Sequence, residues 1–414
     1  MAVRHAVWLP RRQGQFVPRA LVLASLALFG AISSARAEEG DAFQVQTSVN
    51  MTHDDNLFLL PNPSVAPPGS SGDGSTWMQT ETADFMFDHR YSAQIFHADV
   101  SVNRYTFDSL HYLDYNAVNY DAQWQWQLSD HLGGTLSVDH ERFLDSYDDF
   151  HDYNTPNLSS HTAQTFKFDW DASGPWHLVG GLLHANVSSP TAFTEVGTFG
   201  QTDVQLGLSY VSPLGNSITF QLRDSVGTFD RALDPVDVLD NGYKQREAET
   251  LTHMMLGGWT SLDTRVGYVD RRYDNFAQRD YQGWVGRLQL NWQPSAHTSL
   301  NLAASRNLVS FESNDSSYYW VEQLSVGSAW DITSKIRLAG SANISWRTFD
   351  GAIENTGDSG ARSDHILGAR LELDYKPTPK SSISLYVSSS QQNANMEDTA
   401  YKDRTFGITA TLRF

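Results

Sequence analysis

The residues able to do chemistry in this chain are charged side chains at regular positions. Asp99, Asp121 and Asp139 lie near the middle of three consecutive segments in which polar and apolar residues alternate. Arg223, Arg265, Arg287 and Arg370 lie near the middle of four later segments. All seven fall on the polar phase. A carboxylate accepts hydrogen bonds from hydroxyls. A guanidinium stays charged and offers a planar fork of donors. This is equipment for weak, repeated binding rather than for breaking bonds. If the segments line a bore, one wall is acidic and the opposite wall basic, and charged walls select what passes a pore. The same charges could instead pair across the lumen and brace it. Lys167, Asp169, Asp263, Glu372 and Asp374 share the polar phase and blur the segregation.

Catalytic patterns are missing from the sequence. His97, His140, His177, His184 and His253 are scattered over separate segments, and neither GxSxG nor HExxH occurs. The chain has no cysteine, which removes thiol nucleophiles and thiolate metal sites. Asp145, Asp148, Asp149 and Asp152 cluster in "LDSYDDFHDYN", but without the ligand spacing and turn glycine of a calcium loop. The expectation is no enzyme, no metal and no cofactor. Nucleic acid is also a poor partner. The net charge is −19, and phosphate backbones require a basic surface.

The elements that must position these charges follow from a period of two. In "NAVNYDAQWQWQL" Val118, Tyr120, Ala122, Trp124, Trp126 and Leu128 alternate with Asn119, Asp121, Gln123, Gln125 and Gln127. In "WVGRLQLNW" Trp284, Leu288, Leu290 and Trp292 oppose Val285, Arg287, Gln289 and Asn291. Strict alternation of this length predicts strands with one apolar and one polar face. Such segments fall at 42–51, 77–87, 91–105, 116–128, 132–143, 160–170, 176–187, 202–212, 217–228, 247–258, 261–271, 281–292, 298–308, 317–330, 335–348, 363–375, 381–390 and 400–414. Short connectors such as "SDH", "ASGP" and "KPTP" alternate with long ones at 52–76, 144–159, 229–246 and 349–362. Aromatics on the apolar phase gather near both kinds of connector, as at the two interfaces of a thin apolar band. The fold class predicted is all-β: a transmembrane antiparallel up-and-down barrel of about eighteen strands, with sixteen as the alternative.

The N-terminal region supports a membrane destination. Residues 1–19 carry four arginines and no acid, "ALVLASLALFGAI" follows, and then Ala35-Arg36-Ala37. That is the pattern of a secretory signal peptide cleaved after Ala37. Residues 1–37 are therefore read as signal peptide and 38–414 as barrel. Mean hydropathy is −0.41, with no later apolar run long enough for a spanning helix.

The last segment, "TFGITATLRF", is apolar at Phe406, Ile408, Ala410, Leu412 and Phe414. Lipid cannot satisfy an open sheet edge, so a spanning sheet must close. Leu412 and Phe414 are expected to close the barrel against Phe43 and Val45, with both termini in the periplasm. A terminal aromatic also resembles the signature that outer-membrane barrels present to their assembly machinery. Lipid and that machinery are the expected partners.

The first strand runs into Asp54-Asp55-Asn56-Leu57-Phe58. A signal peptide, a first strand rich in Gln, Ser and Thr, this "DDNLF" and an ending in Phe resemble the EpsL-type outer-membrane proteins of exopolysaccharide operons. These belong to a wider group of β-barrel porins. The resemblance implies export of extracellular polysaccharide across the outer membrane, with polysaccharide and periplasmic export components as partners. The residues alone leave two alternatives open: a general diffusion porin for small solutes, and a non-conducting scaffold of a secretion complex.

Overall fold

The computed structural model describes residues 42–65, 74–147, 156–189, 198–231, 239–311, 316–351, 362–396 and 399–414. The expected signal peptide, and Asp148, Asp149 and Asp152, lie outside the described residues.

Among the described residues, eighteen strands run in chain order. The first six are β1 (Phe43–Asp54), β2 (Thr76–Tyr91), β3 (Gln94–Phe107), β4 (Tyr115–Ser129), β5 (Leu132–Leu144) and β6 (Leu158–Ser173). The next six are β7 (Trp176–Ser188), β8 (Phe199–Val211), β9 (Ser217–Phe229), β10 (Gly242–Met255), β11 (Thr260–Tyr273) and β12 (Tyr281–Ser295). The last six are β13 (Thr298–Ser310), β14 (Tyr318–Asp331), β15 (Ile336–Asp350), β16 (Ser363–Thr378), β17 (Ser381–Ala394) and β18 (Tyr401–Arg413). Each pairs antiparallel with the next, and β18 pairs with β1. The sheet has no free edge, which is the condition for spanning lipid.

Several segment boundaries differ by a few residues from those read in the sequence, and two of them have a local reason. The tenth strand spans Gly242–Met255 rather than 247–258. Gly257, at φ +133°, belongs to the turn, a conformation that a side chain would strain. At the other end Lys244 and Arg246 face outward and hide the apolar phase. The third strand begins at Gln94 rather than 91, because Ser92 turns the chain with φ +56°.

The apolar phase faces away from the lumen. Val204, Leu206, Leu208, Leu222, Val266, Leu288, Leu302, Leu324, Leu367 and Leu385 are all exposed on the outer surface. In water such a surface would aggregate; in a bilayer it is the required contact. Trp170, Trp176, Tyr210, Trp292, Trp330 and Tyr375 ring the end with short turns, and Trp284 and Trp346 stand toward the end with long loops. Trp126 is an exception, buried over Gly134 and stacked on Phe166.

The closing seam pairs β1 with β18 from Gln46/Arg413 to Asp54/Thr405. The Phe414 N–H donates to the Val45 carbonyl at 2.8 Å. Leu412 sits opposite Thr47. Phe43 contributes differently from expectation: its ring packs on Phe87 of β2, 4.7 Å between centroids, and not on β18. At the loop end of the seam His53, Trp77 and Phe406 form an outward aromatic trio with centroids 4.7–5.3 Å apart.

The connector after β1 folds inward. Leu57, Phe58 and Leu60 pack on Met78, Phe107, Leu110, Leu113 and Tyr147 in a small buried core on the lumen side of β2–β4. Asn56 organises the turn. Its Oδ1 accepts the Leu60 N–H at 2.9 Å, and its Nδ2 donates to the carbonyls of Leu60 and Lys402, each at 2.8 Å. Leu59 takes φ +55° within it.

Candidate functional site

The charged lumen is the site. Eighteen strands at ~4.8 Å spacing, tilted by ~40°, set opposite backbones about 35 Å apart. Two extended side chains cannot bridge that distance. Charges on opposite walls therefore act on what lies between them rather than on each other.

The acidic wall is a row. Asp99 of β3 stands directly across the ladder from Asp121 of β4, and Asp121 directly across from Asp139 of β5. Each strand places its aspartate inward because its neighbours two residues away share that face. The row is braced by imidazoles. His97 Nδ1 lies 2.7 Å from Asp88 and its Nε2 3.4 Å from Asp121. His161 Nδ1 lies 3.4 Å from Asp139. His177 pairs with Asp169 at 2.6 Å. The side chains of Asp121 and Asp139 remain more than half exposed to the lumen.

The basic wall is built on two recessed carboxylates. Glu247 and Glu249 of β10 have almost no exposed side chain, whereas Arg223 and Arg265 are about a quarter exposed. Arg223 Nη2 donates to Glu249 Oε1 at 2.6 Å. Arg265 reaches both glutamates, Nε to Glu249 and Nη2 to Glu247, each at 2.5 Å. Gln221 donates to Glu249 and to Gln205 at 2.8 and 2.9 Å. Arg287 stands directly across the ladder from Arg265 and donates to Gln289 at 2.6 Å. The acids are at the wall and the guanidiniums face the water. A solute meets a positive surface even where the ion count is nearly balanced.

Of the residues expected to line the bore, Arg223, Arg265 and Arg287 come together, as do Asp99, Asp121 and Asp139. Arg370 stands apart on β16. It pairs with Glu372 and lies over the Tyr386 ring at 3.9 Å, so its charge is locally matched. The reading that the charges brace the wall describes Arg370, and in part Arg223 and Arg265. Arg287 and the aspartate row are the more open members.

Sequence reasoning missed Glu247 and Glu249. Their signal was available in "REAETLTH", where both share the phase of His253, which pairs with Asp263 at 2.6 Å. His140 and His184 instead face outward and hydrogen-bond to Thr162 and Thr202. The five residues 54–58 are largely withdrawn from solvent. Asp54, Asn56 and Phe58 are buried, and Asp55 accepts the Arg404 N–H at 2.7 Å. Carboxylates of Asp54, Asp55 and Asp403 gather within 4.8 Å of one another at this end.

Beyond the strands, Asp240 anchors the loop between β9 and β10. Burial alone would raise its carboxyl. The Asn275 side chain and the backbone N–H groups of Asn275, Phe276 and Gly242 outweigh that and hold it below the usual carboxylate range.

Residues 237–414, which span β10 to β18, match the family described as Putative beta-barrel porin 2. The fold is that of a porin-type outer-membrane barrel. Two solved porins share it across nearly their whole length. OccK2 (OpdF) of Pseudomonas aeruginosa, in complex with glucuronate, aligns with a TM-score of 0.51 at 10% identity, covering 92% of this chain and 100% of that one. A BenF-like porin from Pseudomonas fluorescens Pf-5 aligns with a TM-score of 0.50 at 11% identity, covering 91% and 99%. No curated protein matches the chain.

Proposed function

We propose that this porin-type barrel is a diffusion pore of the outer membrane, admitting small hydrophilic solutes to the periplasm. The observation that carries this reading is the arrangement of the lumen. Facing walls of opposite sign, too far apart to neutralise each other, line a bore of a size that holds water in barrels with this strand number. A polar or ionic solute loses part of its hydration on entering and regains it from these walls. Anions are drawn to Arg223, Arg265 and Arg287, and cations to the aspartate row. Neither set binds tightly, because both walls stay wet. The short turns face the periplasm and the long loops the exterior, and the barrel acts without bond-making chemistry.

Export of polysaccharide, implied by the resemblance of residues 54–58, has weaker support. Asn56, Leu57 and Phe58 are already spent on folding the inward loop. Swelling of liposomes in sugars of graded size separates the readings. A diffusion porin gives swelling that declines smoothly with solute size. A non-conducting scaffold gives none, and a polymer conduit is told from a diffusion porin by deletion of its gene, which removes cell-surface polysaccharide only if the barrel exports it.

A further inference from the structure

The ladder between β12 and β13 stops at the Gly286/Arg306 pair, although both strands run on toward the loops. Above that point β12 stays paired to β11 as far as Tyr281, and β13 to β14 as far as Ser310. The wall is parted between residues 281–285 and 307–310.

Side chains on opposite faces of an intact sheet do not touch. Here they do. Val269, Tyr281 and Val285 share the lumen phase of Arg265 and Arg287. Leu308, Tyr318 and Trp320 share the outward phase of Leu324 and Val326, yet they pack on that lumen cluster. The Tyr281 ring lies 4.8 Å from Trp320 and 5.0 Å from Tyr318. Gly283 permits the crossing, since a Cβ there would stand 3.1 Å from Trp320 Cη2.

The opening is framed. Gly286 and Arg306 form its floor, where the Arg306 guanidinium lies over the Trp320 ring at 3.8 Å and pairs with Glu322. Arg279 forms its roof. Fully buried in the loop before β12, it donates to the Ser316 carbonyl at 3.3 Å and to Ser317 Oγ at 2.9 Å, in the loop before β14. The Tyr281 hydroxyl inside the frame is buried and has no hydrogen-bond partner among the described residues. A buried polar group left in that state is costly and marks a place that a ligand's polar group can satisfy. The seam between β4 and β5 also parts at the loop end, above Tyr120/His140. There, however, Asn119 and Tyr115 side chains accept the N–H groups of Arg142 and Leu144, and the inward loop packs behind.

We propose that the β12/β13 opening is a lateral window stoppered by Trp320. It passes small, flat, largely apolar molecules that carry one hydrogen-bonding group between the lumen and the membrane interface, at the level of Trp284 and Trp346. This goes beyond the pore reading and requires the barrel but not any particular selectivity of its bore.

The chain has no cysteine of its own, so Val285→Cys with Asn307→Cys can zip the opening by oxidation. The probe is 1-naphthol, one flat ring system with one hydroxyl. Its entry is followed in Gram-negative cells expressing the double variant, oxidised and then reduced, with ion conductance of the purified barrel measured in parallel. Oxidation should lower naphthol entry below that of the reduced barrel, toward but not down to the rate of cells lacking the barrel, because the bore itself stays open. It should leave conductance unchanged and be reversed by reduction. Trp320→Ala, assayed in the same cells, should speed naphthol entry. Equal naphthol entry in oxidised and reduced barrels overturns the window, and so does a parallel loss of conductance. If no disulfide forms, Trp320→Ala decides: naphthol entry no faster than through the unaltered barrel overturns it.

Discussion

Asn56 donates from Nδ2 to the carbonyl of Lys402 at 2.8 Å, which ties the inward loop after the first strand to the strand that closes the barrel. One side chain thus couples a cap over the lumen to the closing seam. Asn56→Ala removes three hydrogen bonds at a buried position. It should lower stability by about 1–3 kcal/mol and free the loop from the lumen wall. Conductance should rise and become noisier, measured against the unaltered barrel in the same bilayer. A quieter or smaller current would show that the loop does not restrict the bore.

The recessed glutamates should matter more than their exposure suggests. Glu249 meets Arg223, Arg265 and Gln221 at once. Removing one partner of a buried pair commonly costs about 3–5 kcal/mol, and access of lumen water on the arginine side should bring this to ~2 kcal/mol. Glu249→Gln should therefore lower the temperature at which the compact band is lost on a denaturing gel. It should also move ion selectivity toward anions. A shift toward cations would contradict the placement of the guanidiniums over the acids.

The two walls should respond in opposite senses. Asp99→Asn, Asp121→Asn and Asp139→Asn together should reduce cation preference, read from the reversal potential in a salt gradient. Arg223→Gln, Arg265→Gln and Arg287→Gln should reduce anion preference. Arg370→Gln alone should change selectivity little, because Glu372 and the Tyr386 ring already answer its charge. The idea fails if both triple variants shift the potential the same way.

Acid should loosen one loop before it affects the barrel. The Asp240 carboxyl is held below its usual range in the folded chain, so its contribution is fully present above the ordinary aspartate value near ~3.9. That contribution is lost as pH falls through the folded value. Proteolysis between β9 and β10 should increase only below about pH 4. Asp240→Asn should show the same sensitivity already at pH 7. Cleavage that is independent of both pH and the substitution would remove Asp240 as the anchor.

The barrel was legible because lipid imposes it. Nearly every strand presents an apolar face outward, which the sequence carries with period two, and long and short connectors alternate along the chain. The walls were legible for the same reason: Asp99, Asp121 and Asp139 keep the polar phase on adjacent strands, and register then aligns them. What escaped depends on contacts between distant segments. That residues 54–58 fold inward follows from Phe58 meeting Tyr147, far along the chain. That Arg265, set opposite Leu251, reaches along the wall to Glu247 depends on side-chain contacts across β10 and β11, and Lys244 and Arg246 disguised where β10 begins. The parted seam at β12 and β13 leaves no local mark beyond Gly283 and Gly286.

The most direct measurement is single-channel recording of purified chain 38–414 in a planar bilayer. The compact state should first be verified by faster gel migration before boiling than after. A closed eighteen-stranded pore predicts discrete, long-lived current steps whose size scales with the conductivity of the salt, and a chain lacking residues 405–414 should give none. Compact, heat-modifiable protein that inserts yet passes no current above the bare bilayer would contradict the account.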